Sequence, residues 1–315
     1  MFAAAECLFL YLESSLRVGA EEAGDEVDRP IQREVATGYP VVPASSLKGA
    51  LRGRARLQQA TVELIRLLGS APESDQKEPS SLSLSDALPL LFPVRALVGL
   101  FAWVTSQGVW SRFQRDLAAY GVQVSKIPEL PVFSPEKAGV APESPFVTGK
   151  QTVVLEEMSF VAQPTEEVRA LGDWLADQAF PDESSFDFWR ERVRRGVVLL
   201  PEAPYRYFVE HATQITPRIR IDAQTGTAAE GSLWTEEYLP AEALLYALAG
   251  ANLPEEPAPV PGIKKPADII DWAKGLAPHY LQLGGGQTLG HGIVRLRWSG
   301  KKLARRRKGA RAKKS

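Results

Sequence analysis

A carboxylate and a row of cations lie close together in residues 28–56, whose first part reads DRPIQREVATGYPVVPASSLKGALR. Asp28 offers carboxylate oxygens, which can bind a divalent metal ion or accept a proton in general base catalysis. Lys48, Arg52 and Arg56 recur every four residues, a spacing that aligns them on one face of a helix. The segment therefore combines a possible acid–base group with a possible phosphate-binding surface.

The basic residues require a helix to position them. Either Ser45 or Ser46 is a suitable N-cap, and apolar residues continue at helical spacing up to Gly69, which predicts one helix over this stretch. Pro40 and Pro43 keep the preceding loop extended. The basic stripe would then start at the positive end of the helix dipole, which favours bound phosphates. A solvated charged face is the alternative, and the helix by itself does not decide between the two.

Asp28 could also have a purely structural role, because Arg29 and Arg33 lie in the same loop and either could form an ion pair with it. The residues taken alone favour that ion pair. A single carboxylate cannot hold two metal ions, so a two-metal site would need further ligands. The candidates for those ligands are Asp25, Glu26 and Glu236.

Residues 218–222, which read RIRID, predict a strand in which Arg218 and Arg220 share one face and the isoleucines share the other. The glycine- and threonine-rich segment that follows is short enough to close a hairpin, with Trp234 and Tyr238 on the returning strand. A hairpin with arginines and aromatic residues could wedge or stack nucleic-acid bases. A tryptophan that packs into the core is the more frequent arrangement, so both remain open.

A glycine-rich loop, GGGQTLGHG, occupies residues 284–292 between two predicted strands. Gly284, Gly285 and Gly286 would allow a phosphate backbone to approach closely, and His291 would either contact RNA or occupy a turn. Dinucleotide-binding and P-loop sites are excluded, because a strand follows the glycines and no Gly-Lys-Ser/Thr sequence is present. The two other histidines have no partner at metal-ligand spacing and are predicted to be structural.

Composition is that of an ordinary globular protein, with 315 residues of which 44% are hydrophobic. Nine of the 37 basic residues lie in residues 301–315, so the rest of the chain has 28 basic and 38 acidic residues. A body this acidic is not a generic polyanion binder, so any contact with nucleic acid would have to come from local clusters such as the Lys48 stripe. The single cysteine and the lack of any apolar run of ~20 residues predict a cytoplasmic protein without a membrane partner.

Strands and helices interleave without a repeated parallel unit, which predicts an α+β fold with an antiparallel sheet. We expect residues 1–299 to form one domain and residues 300–315 to form a basic, disordered tail. Residues 126–147 contain five prolines and are predicted to be an insertion loop. The predicted strands cover residues 1–13, 82–86, 153–161, 197–200 and 244–249, and the later helices cover residues 109–120, 165–180, 184–195 and 267–276.

Four blocks together resemble a known family. They are the segment that begins DRPIQRE, followed by LLFPVRALVGLFAWVTS, RIRIDAQTGTAAEGSLWTEEYLP and YLQLGGGQTLGHGIVRLRW. In this order they resemble the RAMP superfamily of CRISPR proteins, and specifically the backbone subunits of Cmr-type (type III-B) RNA-guided complexes. The resemblance covers the chain apart from its C-terminal tail.

The resemblance implies a ferredoxin-like (RRM-like) palm with a projecting thumb hairpin, which we expect in the variable region after the first half of the palm. It further implies a subunit that binds CRISPR guide RNA, stacks head to tail with copies of itself and assembles with other Cmr-type subunits. The assembled complex would cleave target RNA with a divalent metal ion, Mg²⁺ or Mn²⁺. The alternatives are a non-catalytic RNA scaffold and a standalone nuclease that processes repeat RNA, a role that usually employs a histidine in the N-terminal half.

Individual residues inherit roles from the same resemblance. Asp28 would be the catalytic carboxylate and metal ligand, assisted by Glu236 and Tyr238, and Arg17 falls where relatives commonly carry a histidine. A histidine general acid is therefore not expected, although a cation beside the scissile phosphate is. The expected RNA contacts are Ser45, Ser46, Lys48, Arg52, Arg56, Arg218, Arg220, Gly284, Gly285, Gly286 and His291.

Overall fold

The computed structural model describes residues 2–19, 27–70, 79–222, 224–254 and 260–300. Residues 301–315 of the predicted tail, and Asp25 and Glu26, therefore lie outside the described residues. The strands are β1 (Ala4–Leu12), β2 (Leu82–Leu84), β3 (Leu88–Arg95), β4 (Phe101–Ser106), β5 (Lys137–Val140), β6 (Thr152–Leu155), β7 (Met158–Pro164), β8 (Val197–Leu200), β9 (Gln214–Ile221), β10 (Ala228–Tyr238), β11 (Leu244–Ala251), β12 (Tyr280–Gln282) and β13 (Ile293–Trp298). The α-helices are α1 (Ala44–Leu57), α2 (Val62–Arg66), α3 (Gln107–Tyr120), α4 (Glu166–Gln178), α5 (Asp187–Gly196), α6 (Glu202–His211) and α7 (Pro266–Leu276).

The first half of the main sheet surrounds β1. Strand β1 pairs antiparallel with β11 on one side and with β13 on the other, and β11 also pairs antiparallel with β2. Helix α7 packs on β1 and β11, and α1 packs on β2 and α7. Residues 7–12 are buried throughout. The apolar sequence of β1 is uninterrupted because helices and aromatic rings cover the strand, as the ring of Trp174 covers Phe9.

The second half of the sheet continues from β3 through β4, β8, β5 and β7 to β6. The pairs β4–β8 and β5–β7 are parallel, and the other neighbours in this half are antiparallel. The predicted α+β fold is thus confirmed, with a sheet that is mostly antiparallel and contains two parallel pairs. Two groups of aromatic rings lie in the core beside these strands, one with Trp103 and Phe180 and the other with Trp110 and Phe113.

Residues 126–147 are not entirely a loop, so that prediction is wrong in part. They contain β5, whose sequence KAGV carries little strand signal. Strand β5 forms because β7 and β8 offer backbone partners on its two sides. A Cβ at Gly139 would lie 2.3 Å from the ring of Phe133, so the small residue allows the proline-rich segment to pack on the strand.

The predicted long helix is two helices. Helix α1 ends before Gln59, which has a φ of 54°, and Thr61 caps α2 by accepting a hydrogen bond from the backbone N–H of Leu64. The predicted serine cap is also wrong. The helix begins at Ala44 without a side-chain cap from its own N-cap residue, and the carboxylate of Asp86 accepts the N–H of Ala44 at 2.8 Å. A carboxylate of the chain itself thus already binds one of the N–H groups that we expected phosphate to contact.

The predicted hairpin is confirmed as a two-stranded sheet of β9 and β10. Ile215, Ile219 and Ile221 on β9 are about half exposed, and Leu233 on β10 is 71% exposed. Trp234 is only partly buried, so the alternative of a core tryptophan is not what the structure shows. In the described part of the chain, no helix is long and apolar enough to cross a membrane.

Candidate active site

Four segments that are distant in sequence converge at the base of the hairpin. The backbone of Leu16 pairs with Leu239 just after β10, and the N–H of Gly285 donates to the carbonyl of Arg17 at 2.9 Å. The N–H of Gly292 donates to the carbonyl of Ser15 at 2.9 Å. The short extended stretch after β1 is therefore held between the hairpin and the glycine loop. The segment that contains Asp28 lies against β10 from another side.

Asp28 is exposed, and its Oδ2 accepts hydrogen bonds from the backbone N–H (2.7 Å) and the hydroxyl (2.9 Å) of Thr235. These hydrogen bonds, the backbone one first, lower the pKa of Asp28 below its ordinary value. Arg29 and Arg33 form ion pairs with Glu236 and Glu237 at 3.1 and 2.5 Å, which is a different pairing from the one the sequence suggested for Asp28. The carboxylate is thus ionised at neutral pH and reachable from solvent.

Glu236 lies at the centre of the cluster and is 8% exposed. Its Oε1 accepts from Arg29 (3.1 Å) and Trp234 (3.0 Å), and its Oε2 accepts from Tyr238 (2.7 Å) and Arg218 (3.3 Å). Burial by itself would raise the pKa of Glu236, but the hydrogen bonds from Tyr238 and Trp234 and the nearby arginines outweigh it and lower the pKa to about 2. Four donors leave this carboxylate poorly suited to accept a proton or to ligate a metal ion.

His291 joins the glycine loop to the hairpin. Arg218 lies 3.2 Å from its Nε2, and Ser15 lies 3.0 Å from its Nδ1. Because a guanidinium group can only donate, Nε2 must be the acceptor, and Nδ1 therefore carries the proton and donates to the Ser15 hydroxyl. The imidazole also packs against Tyr238, with ring centroids 4.7 Å apart and the ring planes tilted by 37°. His291 is thus a member of the cluster.

The glycines of the loop allow other parts of the same chain to approach closely. Gly284 has a φ of +72°, and a Cβ there would lie 2.1 Å from the carbonyl oxygen of Arg17. A Cβ at Gly286 would lie 2.9 Å from the ring of His291, and one at Gly285 would lie 3.3 Å from the guanidinium of Arg17. These glycines therefore allow Arg17 and His291 to reach the cluster. Contact of this loop with RNA phosphates remains a prediction.

The basic stripe of α1 is separate from this cluster. Among the described residues, no hydrogen bond of Lys48, Arg52 or Arg56 reaches it. Arg52 instead donates to three carbonyl oxygens just after α2, the nearest being that of Leu68 at 3.1 Å. Lys48 is half-buried, and burial and the charge of Arg52 lower its pKa. Arg56 is exposed.

The other residues that were predicted to contact RNA are also distributed over separate elements. Ser45, at the start of α1, and Arg220, on β9, are exposed, whereas Ser46 is partly buried. Of the two arginines predicted on one strand face, only Arg218 is hydrogen-bonded into the cluster in the part of the chain that the structure describes.

Sequence reasoning missed three members of the site. They are Thr235, which binds Asp28; Ser15, which binds His291; and Arg29, whose guanidinium lies 4.8 Å from the ring centroid of Trp234. The alternation of β10 was a usable signal for Thr235. It places Trp234, Glu236 and Tyr238 on one face and Thr235 on the opposite face, although only the fold shows what meets that face.

The residues of the site are better suited to a divalent ion bound by one carboxylate than to an ion enclosed by several protein ligands. Among the described residues, no group of three His, Cys, Asp or Glu side chains is arranged to hold a metal ion. Mg²⁺ commonly binds one or two carboxylates together with water and substrate phosphates, and Asp28 is an exposed carboxylate of that kind. Glu236 already accepts four hydrogen bonds, so it does not supply the second ligand that the sequence suggested.

Comparison with known proteins adds independent information. A family model described as the RAMP superfamily matches residues 9–295. The chain is 35% identical over 280 residues to the CRISPR system Cmr endoribonuclease Cmr4 of Pyrococcus furiosus, covering 86% of this chain and 87% of that protein. The crystal structure of oligomeric Cmr4 from the same organism superposes with a TM-score of 0.68 at 28% identity, covering 93% of this chain and 97% of the other. A chain of a type III-B Cmr-β complex bound to cognate target RNA has the same fold, with a TM-score of 0.70 at 20% identity and coverage of 95% and 98%.

Proposed function

The chain belongs to the RAMP superfamily, and from this premise we propose that it is the RNA-binding backbone subunit of a type III-B Cmr complex and cuts target RNA paired to the guide. The observation that carries this proposal is the 35% identity, over most of both chains, to a relative named a Cmr endoribonuclease. Within this chain, Arg17, Glu236, Tyr238 and His291 converge at β10. Asp28 is held at the same strand by the neighbouring residue Thr235. Both features support the proposal.

We propose that the first half of the sheet is the ferredoxin-like palm of this family. The support is the order β13-β1-β11-β2 with antiparallel neighbours, α1 connecting β1 to β2 and α7 lying between β11 and β13 in sequence. The β9–β10 hairpin is the candidate thumb. Its exposed apolar residues suit contact with bases or with a neighbouring copy.

The proposed chemistry uses the nucleophile that RNA itself carries. The 2′-oxygen forms a bond to the adjacent phosphorus, the bond from phosphorus to the 5′-oxygen breaks, and the proton of the 2′-hydroxyl must leave while the 5′-oxygen gains one. Asp28 accepts that proton or holds a divalent ion. A bound Mg²⁺ or Mn²⁺ would supply positive charge at the phosphate. Arg17 places a fixed cation at the cluster, and Glu236 and Tyr238 hold their neighbours in position.

Guide binding is proposed for the basic surfaces outside this cluster and for the glycine loop. Lys48 and Arg56 on α1, Arg220 on β9 and the glycine loop would contact the guide backbone, while base pairing to the guide selects the target. Copies would stack head to tail along the guide, an open contact whose length is limited by the RNA and by other Cmr-type subunits. The oligomeric crystal structure of the Pyrococcus relative supports self-association.

Asp28→Asn tests the proposal, because it keeps the shape of the side chain and removes its charge. In the complex assembled with guide RNA and partner subunits, cleavage with Mg²⁺ should fall by a factor on the order of 10² or more, with target binding retained. Asp222→Asn is the matched control, since Asp222 is a partly exposed carboxylate that is also held by backbone N–H groups, at the far end of the hairpin. It should cut normally.

Two outcomes would contradict the assignment. Undiminished cutting by Asp28→Asn would favour the non-catalytic scaffold, which shares the same fold and the same basic surfaces. Loss of binding together with cutting would give Asp28 a structural role.

A further inference from the structure

The segment that carries Asp28 is attached to the hairpin as a short third strand. The backbone N–H of Arg29 donates to the carbonyl of Thr235 at 3.1 Å, and the N–H of Glu237 donates to the carbonyl of Arg29 at 3.0 Å. Arg29 and Glu236 form a parallel bridge. The N–H of Ile31 donates to the carboxylate of Glu237 at 2.9 Å. The position of Asp28 along the site is thus set by its register on β10.

Thr235 also forms three hydrogen bonds with Asp28. Its hydroxyl donates to Asp28 Oδ2 at 2.9 Å and accepts the backbone N–H of Asp28 at 3.1 Å, while its own N–H donates to the same Oδ2 at 2.7 Å. Only a serine or threonine hydroxyl can donate and accept in this way from that position. Both bonds from Thr235 to the carboxylate end on Oδ2, which leaves Oδ1 for the reacting groups.

We propose that Thr235 is the positioning residue of the cleavage reaction, holding Asp28 by Oδ2 so that Oδ1 faces the RNA. This inference rests on the proposed role of Asp28 in the chemistry. An exposed aspartate side chain ordinarily samples several rotamers, and each one that turns the carboxylate away lowers the fraction of productive complexes. The hydrogen bonds to Thr235 remove that freedom without burying the carboxylate.

Thr235→Val removes the hydroxyl, keeps the branched shape and leaves the backbone N–H bond to Asp28 in place. Thr235→Ser retains the hydroxyl and lacks only the methyl group. Thr216→Val is the matched control, because Thr216 lies opposite Glu236 on β9 and its hydroxyl accepts only a 3.3 Å bond from the Gln214 side chain among the described residues. All three are measured in the assembled complex with guide RNA, under single-turnover conditions and with target binding recorded in parallel.

Thr235→Val should cut about tenfold more slowly, as expected for the loss of one charge-assisted hydrogen bond to a reacting group. Its affinity for target RNA should be unchanged. Thr235→Ser should cut within about twofold of the native rate, and Thr216→Val should match the native protein. In an Asp28→Asn background, Thr235→Val should cause no further loss, since the group that it positions no longer acts.

Several results would overturn the inference. Equal rates for Thr235→Val and Thr216→Val would show that the hydroxyl does not position Asp28. A serine variant as slow as the valine variant would assign the effect to packing, and a joint loss of binding and cutting would assign it to folding. These results can be distinguished from a failure of the proposed function, because in that case Asp28→Asn by itself would cut target RNA normally.

Discussion

Glu236→Gln should make the subunit less stable at neutral pH and alter how its stability depends on pH. The carboxylate is 8% exposed and accepts hydrogen bonds from Arg29, Trp234, Tyr238 and Arg218. Its pKa falls from an ordinary value of 4.5 to about 2 in the folded protein. At ~1.4 kcal/mol for each tenfold change in the dissociation constant, this corresponds to ~3 kcal/mol of stability.

The sign of the pH dependence follows from the lowered pKa. The folded state keeps Glu236 ionised to lower pH than the unfolded chain does, so the contribution is full above the unfolded pKa of 4.5 and is lost as the pH falls towards 2. The glutamine side chain of the variant resembles the protonated acid at every pH. The difference in unfolding free energy between the native protein and Glu236→Gln should therefore be ~3 kcal/mol at pH 7 and about half of that at pH 3.

Equilibrium urea unfolding of the isolated subunit at both pH values measures this difference, with Glu157→Gln as the control. Glu157 is exposed, and its replacement should change the unfolding free energy by less than ~0.5 kcal/mol. A difference for Glu236→Gln that is the same at pH 7 and pH 3 would refute the reasoning. It would mean that the charge of Glu236 does not stabilise the folded cluster.

Three further predictions concern the basic residues of α1 and of the C-terminal tail. Replacing Lys48 and Arg56 by Ala should weaken binding equally for all RNA sequences and lower the log–log slope of affinity against salt by about one for each lost phosphate contact. Arg52→Ala should instead lower the free energy of unfolding in urea by ~1–3 kcal/mol, because three carbonyl oxygens that follow α2 lose their donor. An unchanged slope would leave the stripe as a solvated face. Truncation after Ser299 should weaken binding modestly at low salt and leave assembly and cut positions intact in gel-shift and cleavage assays; loss of assembly would show that the tail docks on a partner.

Elements with a strong local pattern could be predicted from the sequence. Helix α3 ends at Gly121, as expected for a glycine with a left-handed conformation, and the strands on both sides of the glycine loop lie where their alternation places them. Strand β5 was not predicted, because its pairing partners β7 and β8 come from distant segments. The break near Gln59, where φ is 54°, was not predicted either, because apolar residues continue at helical spacing beyond it. The cap of α1 by Asp86 is also non-local, linking residues 42 positions apart.

The sequence by itself determined which chemical groups are available, namely Asp28, Arg17, the residues of β10 and the glycine loop, and their order resembles that of one family. Only the tertiary structure decided how those groups share contacts. Asp28 and Thr235 are 207 positions apart, as are Arg29 and Glu236, and no local periodicity relates residues at that distance. The fold joins them because the segment that contains Asp28 completes hydrogen bonds along β10, and that pairing makes Thr235 the partner of Asp28 and arginine the partner of Glu236.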